Sequence, residues 1–301
     1  MRTTFINELT KIAGAESALF LLTADLGYSV LETFAETHPA QYANVGVCEQ
    51  AMAGIAAGLA FSGKRVVTYS IANFPTLRCL EQIRNDICYH NANVMIVAVG
   101  GGLAYGAQGY THHGIEDLGI MAMLPNMTVV SPADPVEVRA LLPQLLEKGG
   151  PSYLRLGRSG EPCLHASNAK ITLGRANWLR QGSDIAFLGT GAIITLAMEA
   201  ADTLAVEGIS SSIASFHTVR PIDEAAICDA AANHRALVTI EEHMIDGGFG
   251  SRVADVLVKH RLAPVFGKFG VHDGIRSQIG SREYLLGKLG NLADFSRLLM
   301  S

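Results

Sequence analysis

The stretch Asn44-Val-Gly-Val-Cys-Glu49-Gln-Ala-Met-Ala-Gly-Ile-Ala-Ala-Gly-Leu-Ala60-Phe-Ser-Gly-Lys64-Arg65-Val-Val-Thr-Tyr69 decides the fold. Its first part reads as a helix over Glu49–Phe61, built from small and apolar residues. A Ser-Gly break follows, and then a short apolar run over Arg65–Tyr69 reads as a strand. The same alternation extends outward in both directions. Strand-like runs occupy Ala18–Thr23, Val94–Val99, Met127–Val130 and Ser152–Leu156, with helical patterns at Val30–Thr37, Leu77–Cys88 and Pro135–Glu147. Continuous apolar strands alternating with helices specify a parallel sheet covered on both faces.

A polar stretch of weak periodicity, roughly Arg158–Gly174, interrupts the pattern. A second series follows, with strands at Ile185–Gly189, Ser211–Ser215, Ala236–Glu241 and Pro264–Phe266. The expectation is an α/β chain of two doubly wound domains with mainly parallel sheets, residues 1–165 and 166–301, joined by a linker near 160–180.

The 301 residues include 49% hydrophobic and only 17% charged side chains, with a formal net charge of −5. Mean hydropathy is +0.26, consistent with a core-rich protein and with surface hidden in an oligomer. No basic stripe favours nucleic acid. No signal-like segment and no apolar run of the ~20 residues needed for a membrane helix stands out, so a cytoplasmic protein is expected. The five cysteines, Cys48, Cys79, Cys88, Cys163 and Cys228, form no CxxC pair or metal-ligand spacing. Reduced thiols fit that compartment.

In an open parallel sheet, ligands bind beyond the carboxyl ends of the strands. Attention therefore falls on Thr23–Ser29, Asn44–Gln50, Ser70–Thr76, Gly100–Asp117 and Arg155–Gly160. Three glycine clusters, Gly100–Gly102, Gly189-Thr190-Gly191 and Gly247-Gly248-Phe249-Gly250, give neither a proper GxGxxG unit nor a GxxxxGK[ST] loop. They read as tight turns and close packing.

The segment from Asn44 to Ala60, with its Glu49-Gln50 pair opening a small-residue helix, resembles the signature of the transketolase pyrimidine-binding domain. Other pieces fall in that family's order: Thr-Ala-Asp25-Leu, Phe74…Glu81-Gln82-Ile-Arg, Thr111-His112-His113-Gly, Leu-Pro-Asn126-Met and Ser131-Pro-Ala-Asp134. Gly-Thr-Gly191, Phe216-His-Thr-Val-Arg-Pro221-Ile-Asp and Glu241-Glu-His…Gly247-Gly are similar to its C-terminal domain. The family's Gly-Asp-Gly…Asn motif, which holds the diphosphate of thiamine diphosphate and its metal, has no counterpart in context: Asp246-Gly247 and Asp273-Gly274 come late. The resemblance implies a split transketolase whose N-terminal, diphosphate-binding partner subunit anchors the cofactor and a Mg²⁺ or Ca²⁺ ion, in an α2β2 assembly.

The family uses the cofactor's aminopyrimidine as the base that takes the thiazolium C2 proton, and a carboxylate on the ring nitrogen sets its tautomer. Glu49 matches that carboxylate. Help of this kind is typically worth about 10²–10⁴ in rate, whereas a lone Glu here would read as a first-turn residue favoured by the helix dipole. Phe74 matches the aromatic ring laid on the pyrimidine, worth about 0.5–1.5 kcal/mol beyond burial. Ile71 stands where the family often has another aromatic. Asp25 resembles the acid near the thiazolium, with an N-cap role as the alternative.

His112 matches the histidine facing the reacting carbon, able to hydrogen-bond or shuttle a proton. His113 is expected to orient the loop or meet solvent. Arg2, Ser29 and Arg158 match residues that hold an acceptor phosphate, where arginine offers bidentate contacts. Gln108 replaces an Asp that reads a donor hydroxyl, Tyr110 replaces a Pro, and Gly100 replaces a further histidine. These departures leave the substrate open. In the second domain, His217, Glu241, Glu242 and His243 read as packing or interface residues.

The resemblance implies transfer of a two-carbon ketol unit from a ketose phosphate to an aldehyde acceptor. The alternatives are a carboligase similar to 1-deoxyxylulose-5-phosphate synthase that uses pyruvate, and a non-catalytic regulatory subunit. The Thr-His-His-Gly loop disfavours a 2-oxoacid dehydrogenase β-subunit, and the glycine loops disfavour a nucleotide-dependent oxidoreductase.

Overall fold

The structure, a computed structural model, describes residues 1–158 and 160–301. Its strands are β1 (Leu19–Thr23), β2 (Tyr42–Asn44), β3 (Arg65–Ile71), β4 (Val94–Val99), β5 (Thr128–Val130), β6 (Ser152–Leu156), β7 (Asn177–Arg180), β8 (Ile185–Thr190), β9 (Ser211–Ser215), β10 (Thr218–Arg220), β11 (Ala236–Met244) and β12 (Val265–Val271). They form two sheets, ordered β10-β5-β6-β4-β3-β1-β2 and β12-β11-β8-β9-β7. Every pairing is parallel except β10 with β5 and β7 with β9. Two mainly parallel sheets covered by helices are the expected α/β architecture.

β4 shows why. All six of its residues are buried, because neighbours lie on both edges and helices on both faces. Side chains alternate between those faces. Leu21, Val67 and Val97 meet Phe5, Leu9 and Leu141 on one side. Leu22, Val66 and Ile96 meet Met52, Ile83 and Met121 on the other.

Helix starts are encoded locally. Asp134 of the Ser-Pro-Ala-Asp run accepts the N–H of Glu137 at 2.9 Å and caps helix Pro135–Lys148, with Pro135 in its first turn. Asp223, ending Arg-Pro-Ile-Asp, caps helix Glu224–Asn233 in the same way. The residues just before it, β10, cross over and pair antiparallel with β5 of the first sheet. That short strand stitches the two halves of the chain together. The helical pattern over 77–88 divides into a 3₁₀ turn at Leu77–Cys79, an α turn at Leu80–Gln82 and a π-helical stretch at Ile83–Cys88.

Candidate active site

The carboxyl ends of β1, β2, β3, β4 and β6 all open on the same edge of the first sheet. They carry, in turn, Asp25, the turn into Glu49, the turn to Phe74, the loop to His112, and Arg158. Glu49 is the first residue of helix Glu49–Phe61. A first-turn carboxylate suits the positive helix end, but a solvated one would be exposed, and Glu49 is only 2% exposed. Arg78 donates from Nη1 to Glu49 Oε2 at 2.8 Å. The other oxygen, Oε1, accepts no protein hydrogen bond among the described residues.

Contacts run onward from this pair. The Arg78 guanidinium lies over the Phe74 ring, 4.5 Å from its centroid, a cation–π arrangement that rigidifies both. Phe74 meets the His112 ring edge-to-face at 5.3 Å. His112 Nδ1 lies 2.9 Å from Thr111 Oγ1. Tyr105 stands 6.5 Å from His112 and carries the Arg158 guanidinium over its ring at 5.4 Å. Glu49, Phe74, His112 and Arg158 therefore lie on one path of touching groups, completed by Arg78 and Tyr105. Neither bridging residue was singled out from the sequence. Arg78 carried a signal all the same: it is a lone cation among Leu77, Cys79 and Leu80, between Phe74 and Glu81-Gln82.

Beside that path, a cavity of about 630 Å³ is lined by Arg2, Gln108 and Arg158, together with Tyr105, Thr190 and Arg282. Arg2 Nε is buried there and unpartnered among the described residues. Arg2, Gln108 and Arg158, three of the expected substrate residues, thus line one cavity, whereas His112 is not among its lining residues. Ser29 does not line the cavity; its N–H donates to Glu32 Oε1 at 2.6 Å in a turn at φ 61°.

Asp25, also at positive φ, caps no helix. Its carboxylate accepts from Tyr28 Oη at 2.9 Å and Asn44 Nδ2 at 3.2 Å, tying the β1 end to the strand that leads into Glu49. Ile71, the last residue of β3, accepts the N–H of Phe74 at 2.8 Å, and that turn aims the ring. His113 is fully buried instead of meeting solvent, and burial pushes its pKa down.

The glycine clusters pack rather than cradle. A Cβ on Gly101 would lie 2.2 Å from Arg155 Nε, and one on Gly248 would lie 2.1 Å from Glu241 Oε2. Glu241 accepts the N–H groups of Phe249 and Gly250 at 2.6 and 2.8 Å. The anion-binding end of helix Phe249–Lys259 is thereby filled by the protein's own carboxylate, whose pKa burial raises to about 7. His217, Glu242 and His243 are also buried. Among the described residues, no group of three or more His, Cys, Asp or Glu side chains is arranged to hold a metal ion. Among the described residues, no helix is long and apolar enough to cross a membrane.

The family model "Transketolase, pyrimidine binding domain" matches residues 1–161, and "Transketolase, C-terminal domain" matches residues 174–282. The chain is 36% identical over 291 residues to the 6-deoxy-6-sulfo-D-fructose transketolase subunit SqwH of Clostridium sp. (strain MSTE9), covering 96% of this chain and 90% of that protein. It is 34% identical to the 1-deoxy-D-xylulose-5-phosphate synthase of Desulforudis audaxviator over 87% of this chain, but spans only 41% of that protein. Among solved structures, a chain described as "Split gene transketolase, inactive beta4 tetramer" superposes with a TM-score of 0.88 at 35% identity, covering 99% of this chain and 95% of that one.

Proposed function

Since the chain belongs to the transketolase family, with both its pyrimidine-binding and its C-terminal domain, we propose that it is one subunit of a thiamine-diphosphate-dependent transketolase. It transfers a two-carbon ketol unit from a ketose phosphate to an aldehyde acceptor, and it works only with an N-terminal, diphosphate-binding partner. We place its pyrimidine-binding domain at residues 1–165 and its C-terminal domain at 166–301.

One observation carries this reading most directly. The buried Glu49 carboxylate, with Oε1 free of protein partners, lies on the same contact path as the Phe74 ring and His112. That donor set fits an aminopyrimidine, with a carboxylate for a ring nitrogen and an aromatic face for the ring. The diphosphate and its Mg²⁺ or Ca²⁺ are anchored by the partner in this reading. Thiamine diphosphate, when bound, supplies the electron sink needed to break and make carbon–carbon bonds beside a carbonyl.

The remaining steps belong to this chain's side chains. Glu49 holds a proton against the ring nitrogen and so sets the tautomer, while Arg78 fixes the carboxylate from its other oxygen. Phe74 and Ile71 orient the ring, and Asp25 lies on the neighbouring strand end. His112 is placed to donate to, or accept from, the substrate oxygen at the reacting carbon. Arg2 and Arg158 in the cavity hold an anionic end and Gln108 reads a hydroxyl without adding charge, while Ser29, the third residue proposed for the acceptor phosphate, stays on the β1 loop outside that cavity.

Product analysis on the chain assembled with its partner tests this reading. Ketose phosphate plus aldehyde should yield a ketose longer than the acceptor by two carbons. Carbon dioxide release from pyruvate with joining to the aldehyde would instead support the synthase-like alternative.

A further inference from the structure

The loop that carries His112 leaves the first sheet after β4 and is held largely by the second domain. Gly102 and Gly114 pair their backbones at 2.7 and 2.9 Å and close the base of the excursion. Leu103 and Ile115, flanking that base, pack with Val271, Ile275 and Leu285 of the second domain. Midway round the loop, Gly106 accepts the N–H of Gly280 at 3.2 Å.

One side chain gathers these contacts. Glu242, near the end of β11, accepts the N–H of Leu103 at Oε1 (2.8 Å) and takes a forked pair from Arg282 (2.6 Å from Nη2 to Oε2, 3.0 Å from Nε to Oε1). Its backbone carbonyl accepts from Arg155 Nη2 at 2.8 Å. Arg155 in turn is anchored on Asp117 and bonds to the Gly114 carbonyl. The carboxylate lies so close over the loop base that a Cβ on Gly102 would approach Glu242 Cγ to 2.5 Å. Both feet of the loop are therefore referred to one residue, the Leu103 foot through the Glu242 carboxylate and the Gly114 foot through Arg155 and the Glu242 backbone carbonyl, while Gln108, Tyr110 and Thr111 at the tip stay exposed.

The geometry points to Glu242 as a positioning residue for catalysis: it fixes the Gly102–Gly114 loop through the Leu103 N–H and thereby sets His112 against Phe74. This rests on the catalytic reading of His112 given above. Misplacement of a catalytic group by about 1 Å typically costs on the order of 10²-fold, so a polar contact remote from the reacting atoms has a measurable kinetic consequence. Glu242→Ala removes the acceptor and leaves the Leu103 N–H buried without a partner. Glu242→Gln keeps an oxygen for Leu103, but it gives up the charge and sets an amide N–H against the Arg282 donors, so the loop contact survives while the fork to the partly exposed Arg282 is lost.

Two measurements on the full chain test this. Hydrogen exchange followed by mass spectrometry should show faster exchange in Glu242→Ala confined to peptides spanning 103–113, with strand peptides unchanged and Glu242→Gln close to the parent. In the assembled enzyme, Glu242→Ala should lower kcat by about 10- to 100-fold with donor KM within about twofold, and Glu242→Gln should restore most of kcat. Unchanged loop exchange in Glu242→Ala overturns the contact. Accelerated exchange with parental kcat overturns its catalytic role. A parent assembly that transfers no ketol unit overturns the functional reading separately, because the exchange experiment does not depend on turnover.

Discussion

Arg78 is bound at the same time to the buried Oε2 of Glu49, at 2.8 Å, and to the face of Phe74, at 4.5 Å. One half-exposed cation thus locks together the Glu49 carboxylate and the Phe74 ring. The other Glu49 oxygen, Oε1, accepts no protein hydrogen bond among the described residues.

Arg78→Ala should therefore weaken catalysis without unfolding the chain. Hydrogen bonds to charged groups contribute about 1.5–3 kcal/mol, so kcat/KM of the assembled enzyme should fall about 10- to 100-fold. Steady-state kinetics alongside thermal unfolding checks this, and an unchanged kcat/KM would show that Glu49 needs no such support.

His112→Asn keeps a polar group beside Thr111 and Phe74 but cannot shuttle a proton near neutral pH. The loss in kcat should be about 10²-fold or more, with thiamine diphosphate affinity, measured by calorimetry on the assembled enzyme, within about twofold of the parent.

Much of this was legible in the sequence. The strands β3, β4, β8 and β11, and helix Glu49–Phe61, announce themselves by short, mainly apolar runs and small-residue spacing. β2, β7 and β10 do not: Tyr42–Asn44 and Thr218–Arg220 are three residues long, and Asn177–Arg180 has no apolar alternation. Their strand character comes from the sheet edge they join. β12 runs through Val271, well past its apolar start, because pairing with β11 carries the pattern through Gly267, Lys268 and Gly270. At the site, Glu49 and His112 stand out by motif. Tyr105 and Glu242 matter through contacts between segments distant in the chain, which no local pattern encodes, whereas the only local sign of Arg78 is its charge among Leu77, Cys79 and Leu80.

Glycine in the His112 loop is a packing requirement. A Cβ on Gly106 would lie 2.4 Å from Leu285 Cδ1 and 2.7 Å from the Gly280 carbonyl oxygen. Gly106→Ala should destabilise the chain by about 1–3 kcal/mol, the usual cost of overpacking. Chemical denaturation would register this as a lower midpoint with unchanged slope.

Acid should loosen the tether between the first domain and the segment that follows it. Burial alone would raise the Asp134 carboxyl, but His165 and the N–H groups of Glu137, His165 and Leu164 outweigh it and hold it at about 2, against an ordinary 3.8. A carboxyl whose pKa is lower folded than unfolded stabilises fully above about pH 4 and loses that contribution as pH falls towards 2. The loss amounts to about 2 kcal/mol. Asp134→Asn, which still caps the helix, should start less stable at pH 6 and show a correspondingly smaller decline between pH 4 and pH 2 in urea titrations.

The most direct measurement is the rate of two-carbon transfer by the chain assembled with its diphosphate-binding partner, parent against Glu49→Gln. The amide fills the same space and keeps an oxygen for Arg78, but its N–H can only donate a hydrogen bond and cannot exchange a proton with the pyrimidine nitrogen. Turnover should fall by at least about 10²-fold while assembly and thermal stability stay at parental values. Equal turnover by the two proteins would contradict the role assigned to Glu49 and return the chain to a supporting, non-catalytic part in the complex.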